Sequence, residues 1–80
     1  MPGMTPTVAV ELDLSGHTCP MPLLKTKQAL NKLASGAVVQ VIATDPASMR
    51  DFKVFAEQSG NVLLQASEEG GSYRYLIQKK

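Results

Sequence analysis

The chain's single cysteine, Cys19, follows Gly16-His17-Thr18 and directly precedes Pro20-Met21-Pro22. Proline is tolerated in the first turn of a helix, where its missing N–H would have had no intrahelical partner and its φ already suits the helix. Pro20 and Pro22 therefore predict a helix start. A residue before proline is pushed out of the α region, so Cys19 is expected at the N-cap, with its sulfur facing the free amides of the first turn. Which proline takes the first helical position stays open, because Met21 also precedes one. Prolines carry no N–H, so the expected donors to the sulfur are the Met21 and Leu23 amides. A free thiol has a pKa of about 8.5, and only a few per cent is thiolate at neutral pH. A helix N-terminus stabilises a negative charge by ~0.3–1 kcal/mol when exposed and up to ~2 kcal/mol when partly buried. That gives a useful fraction of thiolate, short of a strongly acidic thiol.

A cysteine hydrolase pairs its thiol with a base and a group that orients the base. The only histidine, His17, lies two residues away on a short loop, a spacing that rarely gives the required geometry. His17 is read either as a surface loop residue or as a modulator of the thiolate. One cysteine makes no internal disulfide, and with one histidine there is no ligand set for structural zinc. Neither a metal nor a cofactor is expected. A lone cysteine is often a small buried core residue, but its place before a double-proline helix start argues for reactivity. Chemistry that needs only a nucleophilic sulfur remains. The thiolate attacks the outer sulfur of a donor persulfide, holds it as a persulfide on Cys19, and presents it to an acceptor thiolate, the displacement familiar from thiol–disulfide exchange. The alternative is a non-catalytic adaptor or regulatory module that binds a protein with the same surface.

The elements that position this motif are legible in the pattern. Residues 1–7 hold two prolines, a glycine and no period, and read as a flexible N-terminal tail ahead of one domain over residues 8–80. Val8 to Leu14 alternates, with Val8, Val10, Leu12 and Leu14 on one face, as in a half-buried strand. Ser15-Gly16 then turns the chain toward Cys19. A first helix is expected from Pro20 or Pro22 to Ala34, burying Leu23, Thr26, Leu30, Leu33 and Ala34, with Gly36 as the left-handed residue after it. Ala37 to Ala43 is nearly all apolar and reads as a strand inside the sheet. Asp45 is the expected cap and Pro46 the first residue of a second helix reaching Ser59, with Met49, Phe52, Phe55 and Ala56 inward. Val54 falls on its exposed side, as an incidental surface valine or as part of a partner contact. Val62 to Ser67 and Ser72 to Gln78 complete a hairpin turned at Glu68-Glu69-Gly70-Gly71. The order β-α-β-α-β-β, with right-handed crossovers, predicts a two-layer α/β (α+β) sandwich: a mixed four-stranded sheet with both helices on one face.

Eighty residues make one small domain, and 44% apolar with 19% charged residues is a globular balance. A net charge of +1 argues against a dedicated nucleic-acid binder, which needs a strongly basic face, so no direct DNA partner is expected, while a transient RNA contact stays open. No run is long enough to span a membrane, and no basic-then-apolar leader opens the chain, so the expected location is the cytoplasm. Without a long exposed apolar patch, the expected state is a monomer.

Leu12-Asp13-Leu14-Ser15-Gly16 followed by Cys19-Pro20-Met21-Pro22 resembles the Cys-Pro-x-Pro signature of the TusA/SirA-like sulfur carriers. Thr44-Asp45-Pro46-Ala47 with Arg50-Asp51 is similar to that family's second-helix start, and Tyr73-Arg74-Tyr75-Leu76-Ile77 to its last strand. The resemblance implies a fold like the C-terminal domain of bacterial translation initiation factor three. It further implies a persulfide on Cys19, with Gly16, Pro20 and Pro22 supporting the motif. A cysteine desulfurase or a rhodanese would be the donor and a downstream relay protein the acceptor, in tRNA 2-thiouridine synthesis or sulfur metabolism. Some relatives carry a further cysteine where this chain has Phe55-Ala56, so no internal disulfide can regulate it. His17-Thr18 stands where relatives often have a basic or polar pair. Lys25, Lys27 and Arg50 are read either as a positive rim steering an acidic partner or as ordinary solvated residues. Asp45 is read as a cap and Asp51 as a local partner for a helix end.

Overall fold

Alternation in the first seven described residues makes β1 (Val8–Leu14), whose valines and leucines turn to the core while Ala9, Glu11 and Asp13 face solvent. The computed structural model describes residues 8–18 and 20–80; the expectation of a loose tail over residues 1–7 lies outside them. There follow α1 (Met21–Asn31), β2 (Val38–Ala43), α2 (Ser48–Ser59), β3 (Val62–Glu69) and β4 (Ser72–Gln78). The sheet order is β1-β2-β4-β3. β1 and β2 are parallel and joined through α1, while β4 runs antiparallel to both β2 and β3. α1 packs on β1 and β2, α2 on β3 and β4, and the helices touch each other. The mixed four-stranded sandwich expected from the pattern is the fold.

One face of the sheet supplies Leu14, Val39, Val41, Ala43, Tyr73, Tyr75 and Ile77 to the core, and the helices answer with Leu30, Phe52 and Phe55. The Phe52 and Tyr75 rings stack with centroids 4.4 Å apart. Burial of two polar side chains is compensated in place. Thr26, fully buried, donates its hydroxyl to the Pro22 carbonyl at 2.8 Å, and Ser48 shares a 2.6 Å hydrogen bond with the Tyr75 hydroxyl.

Several boundaries move, each for a local reason. α1 ends at Asn31 and not at Ala34, because Lys32 N–H and Leu33 N–H turn to carbonyls three residues back and tighten the last turn. Ala34 is consequently exposed instead of inward. Gly36, at φ +88°, serves a turn closed by Ala37 N–H on the Ala34 carbonyl and does not cap the helix. β2 begins at Val38, one residue late. α2 begins at Ser48 with Ala47 as N-cap, so Pro46 is not its first residue. Asp45 instead organises the preceding turn: its carboxylate accepts Ala47 N–H at 3.2 Å and its carbonyl accepts Ser48 N–H at 3.0 Å. At the hairpin, Gly70 and Gly71 take φ of +58° and +85°, the pair a two-residue turn demands, leaving Glu68 and Glu69 in β3. β3 also slips register between Leu63 and Gln65. That bulge lets Leu63 and Ala66, three apart in sequence, both pack on the core. Among the described residues, no helix is long and apolar enough to cross a membrane.

Candidate functional site

Parallel β1 and β2 end side by side, Leu14 opposite Ala43, so the loops that leave them meet at one edge of the sandwich. The first loop carries the cysteine motif. His17 N–H donates to the Leu14 carbonyl at 3.2 Å, and Gly16 has φ +84°. Since no described non-glycine residue has positive φ, Leu14-Ser15-Gly16-His17 is a type II turn, whose third position calls for glycine. The Asp13 carboxylate accepts Ser15 N–H at 3.1 Å, and hydrogen bonds from the Ser15 side chain and backbone hold Asp13 below the usual carboxylate range. Gly16 N–H in turn donates to the Thr44 hydroxyl oxygen at 2.9 Å. His17 is half-buried and Thr18 exposed.

Beyond the cysteine, Thr18 accepts Met21 N–H at 2.8 Å and Pro20 accepts Leu24 N–H at 3.0 Å. Cys19 itself, with the expected facing of its sulfur, lies outside the described residues. The residues on either side of it are held. The N-cap is Pro20, at φ −100° and ψ 13°, and not Cys19 as the sequence predicts. Met21 is then the first helical residue and buried Pro22 the second, where a missing N–H is equally harmless. Neither proline occupies the first position. The expectation that the Met21 and Leu23 amides donate to the sulfur lies, with Cys19, outside the described residues. No acidic residue sits in the first turn of α1 to oppose the positive end of its dipole.

Between the helices runs a groove of about 270 Å³, walled by Leu23 and Lys27 of α1 and by Arg50, Asp51, Val54, Phe55 and Gln58 of α2, two cations and one carboxylate among them. Lys27 and Arg50 thus meet on one surface, with the Lys27 ammonium 5.5 Å over the Phe55 ring. Lys25 does not line this groove. Met21, Leu24 and Val54 are the exposed apolar side chains on the two helices, 38%, 43% and 41% accessible, so apolar surface begins directly after Pro20 in the chain. No cluster of three or more metal-ligating side chains exists among the described residues. Thr44 is the residue that the sequence reading missed. It stood there only as part of a helix start, and the contact that matters spans 28 residues of sequence.

The family model for "Sulfurtransferase TusA" matches residues 10–79. The chain belongs to the TusA family. It is 54% identical over 69 residues to a sulfur carrier protein TusA of Allochromatium vinosum, covering 86% of this chain and 91% of the relative. A sulfur carrier protein TusA of Pseudomonas putida is 44% identical over 69 residues, 86% of each chain. The crystal structure of a SirA-like protein from Desulfitobacterium hafniense superposes with a TM-score of 0.77 at 27% identity, covering 86% of this chain and 95% of that one. The TusA/SirA-like resemblance is met, and the two helices on a mixed four-stranded sheet match the fold of the SirA-like neighbour.

Proposed function

We propose that this TusA family member is a sulfur carrier that holds sulfane sulfur as a persulfide on Cys19 and hands it to an acceptor protein. The membership of residues 10–79 in the TusA family carries the reading. The geometry supports it: the residues flanking Cys19 are pinned at the head of α1, beside exposed apolar and basic side chains on which a second protein can dock. In the loading step the Cys19 thiolate attacks the outer sulfur of a donor persulfide. A new S–S bond forms at Cys19, the donor's S–S bond breaks, and the donor's inner sulfur leaves as a thiolate. The second displacement repeats the first with roles exchanged, so no oxidant or cofactor is consumed.

The donor is a cysteine desulfurase or a rhodanese and the acceptor a downstream relay protein, in tRNA 2-thiouridine synthesis or sulfur metabolism, within the cytoplasm. Lys27 and Arg50 at the groove favour a donor or acceptor with an acidic rim. Gly16 provides the left-handed turn before the cysteine, and Pro20 and Pro22 set the helix start after it. The test is incubation with a desulfurase and cysteine followed by intact mass measurement. One added sulfur atom is expected on the wild type and none on Cys19→Ser; no adduct with desulfurases or rhodaneses overturns the proposal.

A further inference from the structure

At the end of the sandwich away from the cysteine motif, where α1 and α2 finish, lies a cavity of about 250 Å³. Three lysines, Lys27, Lys79 and Lys80, line it, and among the described residues no acidic side chain does. Lys79 is held on both sides: its N–H donates to the Ala37 carbonyl at 2.8 Å and its own carbonyl accepts Gly36 N–H at 2.7 Å, while its ammonium donates to the Leu30 carbonyl at 2.9 Å. Lys80 lies back over Gly60, with Nζ 3.4 Å from where a Cβ on that glycine would stand. The Lys27 ammonium sits 5.5 Å over the Phe55 ring, which forms part of the cavity wall. Cations near helix C-termini are favoured by the dipole alone, and that accounts for Lys79 on Leu30. It does not place Lys27, since the last turn of α1 holds no basic residue.

The neutral lining has the same polarity. Ser59 accepts Asn61 N–H on its hydroxyl oxygen at 3.2 Å, and Asn61 accepts Lys80 N–H on its side-chain carbonyl at 3.0 Å. What these two side chains can offer a ligand is therefore the Ser59 O–H and the Asn61 NH2, both donors. A lining of ammonium groups and neutral donors calls for a ligand rich in acceptors. Lysine donates in three directions from a compact charge and lacks the flat fork with which arginine grips a carboxylate, which suits a tetrahedral oxyanion. We propose that this cavity binds a phosphate group, borne by inorganic phosphate or by a small phosphate ester, with the ammonium groups of Lys27, Lys79 and Lys80 and the Asn61 NH2 as donors. The site is separate from Cys19 and stands whether or not that residue carries sulfur.

Inorganic phosphate is titrated into the protein and followed by amide NMR, with chloride adjusted to hold ionic strength constant and the pH set where phosphate is a dianion. We expect saturable shifts centred on Asn31, Gly60, Asn61 and Lys79. Lys27→Gln and Lys80→Gln change exposed side chains, so both variants should fold, with Tm recorded for each. Each should raise the Kd for phosphate by up to about fivefold, the scale of one exposed charge pair, and Lys27→Glu, which sets a like charge beside the anion, should raise it further. Lys53→Gln removes an equal charge from α2 outside the cavity and should leave the Kd unchanged. AMP titrated in the same way separates the sources: tighter binding than inorganic phosphate at the same amides assigns an ester, and equal or weaker binding assigns the free ion. Shifts that never saturate, shifts that chloride reproduces at equal ionic strength, or a Kd unmoved by the Lys27 and Lys80 variants overturn the site. An equal effect of Lys53→Gln also overturns it, because the anion then responds to net charge and not to the cavity.

Discussion

The hydrogen bond between Ser48 and Tyr75 ties the start of α2 to the middle of the sheet, and it is open to a double-mutant test. Ser48 is 1% exposed, Tyr75 is fully buried, and their oxygens are 2.6 Å apart. Tyr75→Phe keeps the ring that stacks on Phe52 but leaves the Ser48 hydroxyl without this partner. Ser48→Ala does the reverse. A buried polar group left unsatisfied costs about 1–3 kcal/mol, whereas removing both partners together is nearly neutral. In a domain of this size that single-variant loss corresponds to a fall in Tm of roughly 4–24 °C. Urea unfolding of the four proteins should give a double variant more stable than the sum of the single losses implies, with a coupling of about 2–6 kcal/mol if the double variant is neutral. The pair also sets an alkaline limit. Burial raises the Tyr75 pKa above its ordinary value, against the opposing pull of the Ser48 hydrogen bond. Its contribution is therefore fully present below pH of about 10 and is lost as pH rises through the raised folded value. Tyr75→Phe should flatten that alkaline decline. Additive single effects, or an alkaline limb unchanged in Tyr75→Phe, would refute the reasoning.

Other perturbations test separate parts of the structure. Leu30→Ala, at a side chain 2% exposed between helix and sheet, should cost about 2–5 kcal/mol in urea unfolding. An added Cβ on Gly16 would meet nothing within 4 Å, so Gly16→Ala should lose only the cost of its φ of +84°, about 1–2 kcal/mol. Reversing the two groove cations together, Lys27→Glu with Arg50→Glu, should slow sulfur loading roughly tenfold at low salt. That gap should narrow as ionic strength rises, because steering between surface charges is screened; a gap independent of salt would point away from electrostatic docking.

Periodicity made the architecture readable before any coordinates. β1 and β4 fall where their alternation puts them, and Tyr73, Tyr75 and Ile77 share the inward face as expected. The ends of helices were less legible, since they are decided by competition among backbone acceptors. Lys32 and Leu33 N–H could continue α1 or tighten it, and tightening exposes Ala34. Proline and aspartate announce a helix start, yet Pro20 and Asp45 each act before the first helical residue. A bulge such as that at Leu63 leaves only a broken alternation in the sequence. The site divides the same way. Gly16, Pro20 and Pro22 are local signals and were legible as such, whereas Thr44 reaches Gly16 only because β1 and β2 pair in parallel. The groove joining Lys27 to Arg50 likewise exists only once α1 lies against α2.

The central claim is that Cys19 carries transferable sulfur. Its most direct measurement is fragmentation mass spectrometry of the loaded protein before and after exposure to an acceptor protein thiol. The account predicts one additional sulfur on the peptide that contains Cys19, sensitive to reductant and discharged to the acceptor. Sulfur found elsewhere, or a Cys19 that stays unmodified while the donor turns over, would contradict it.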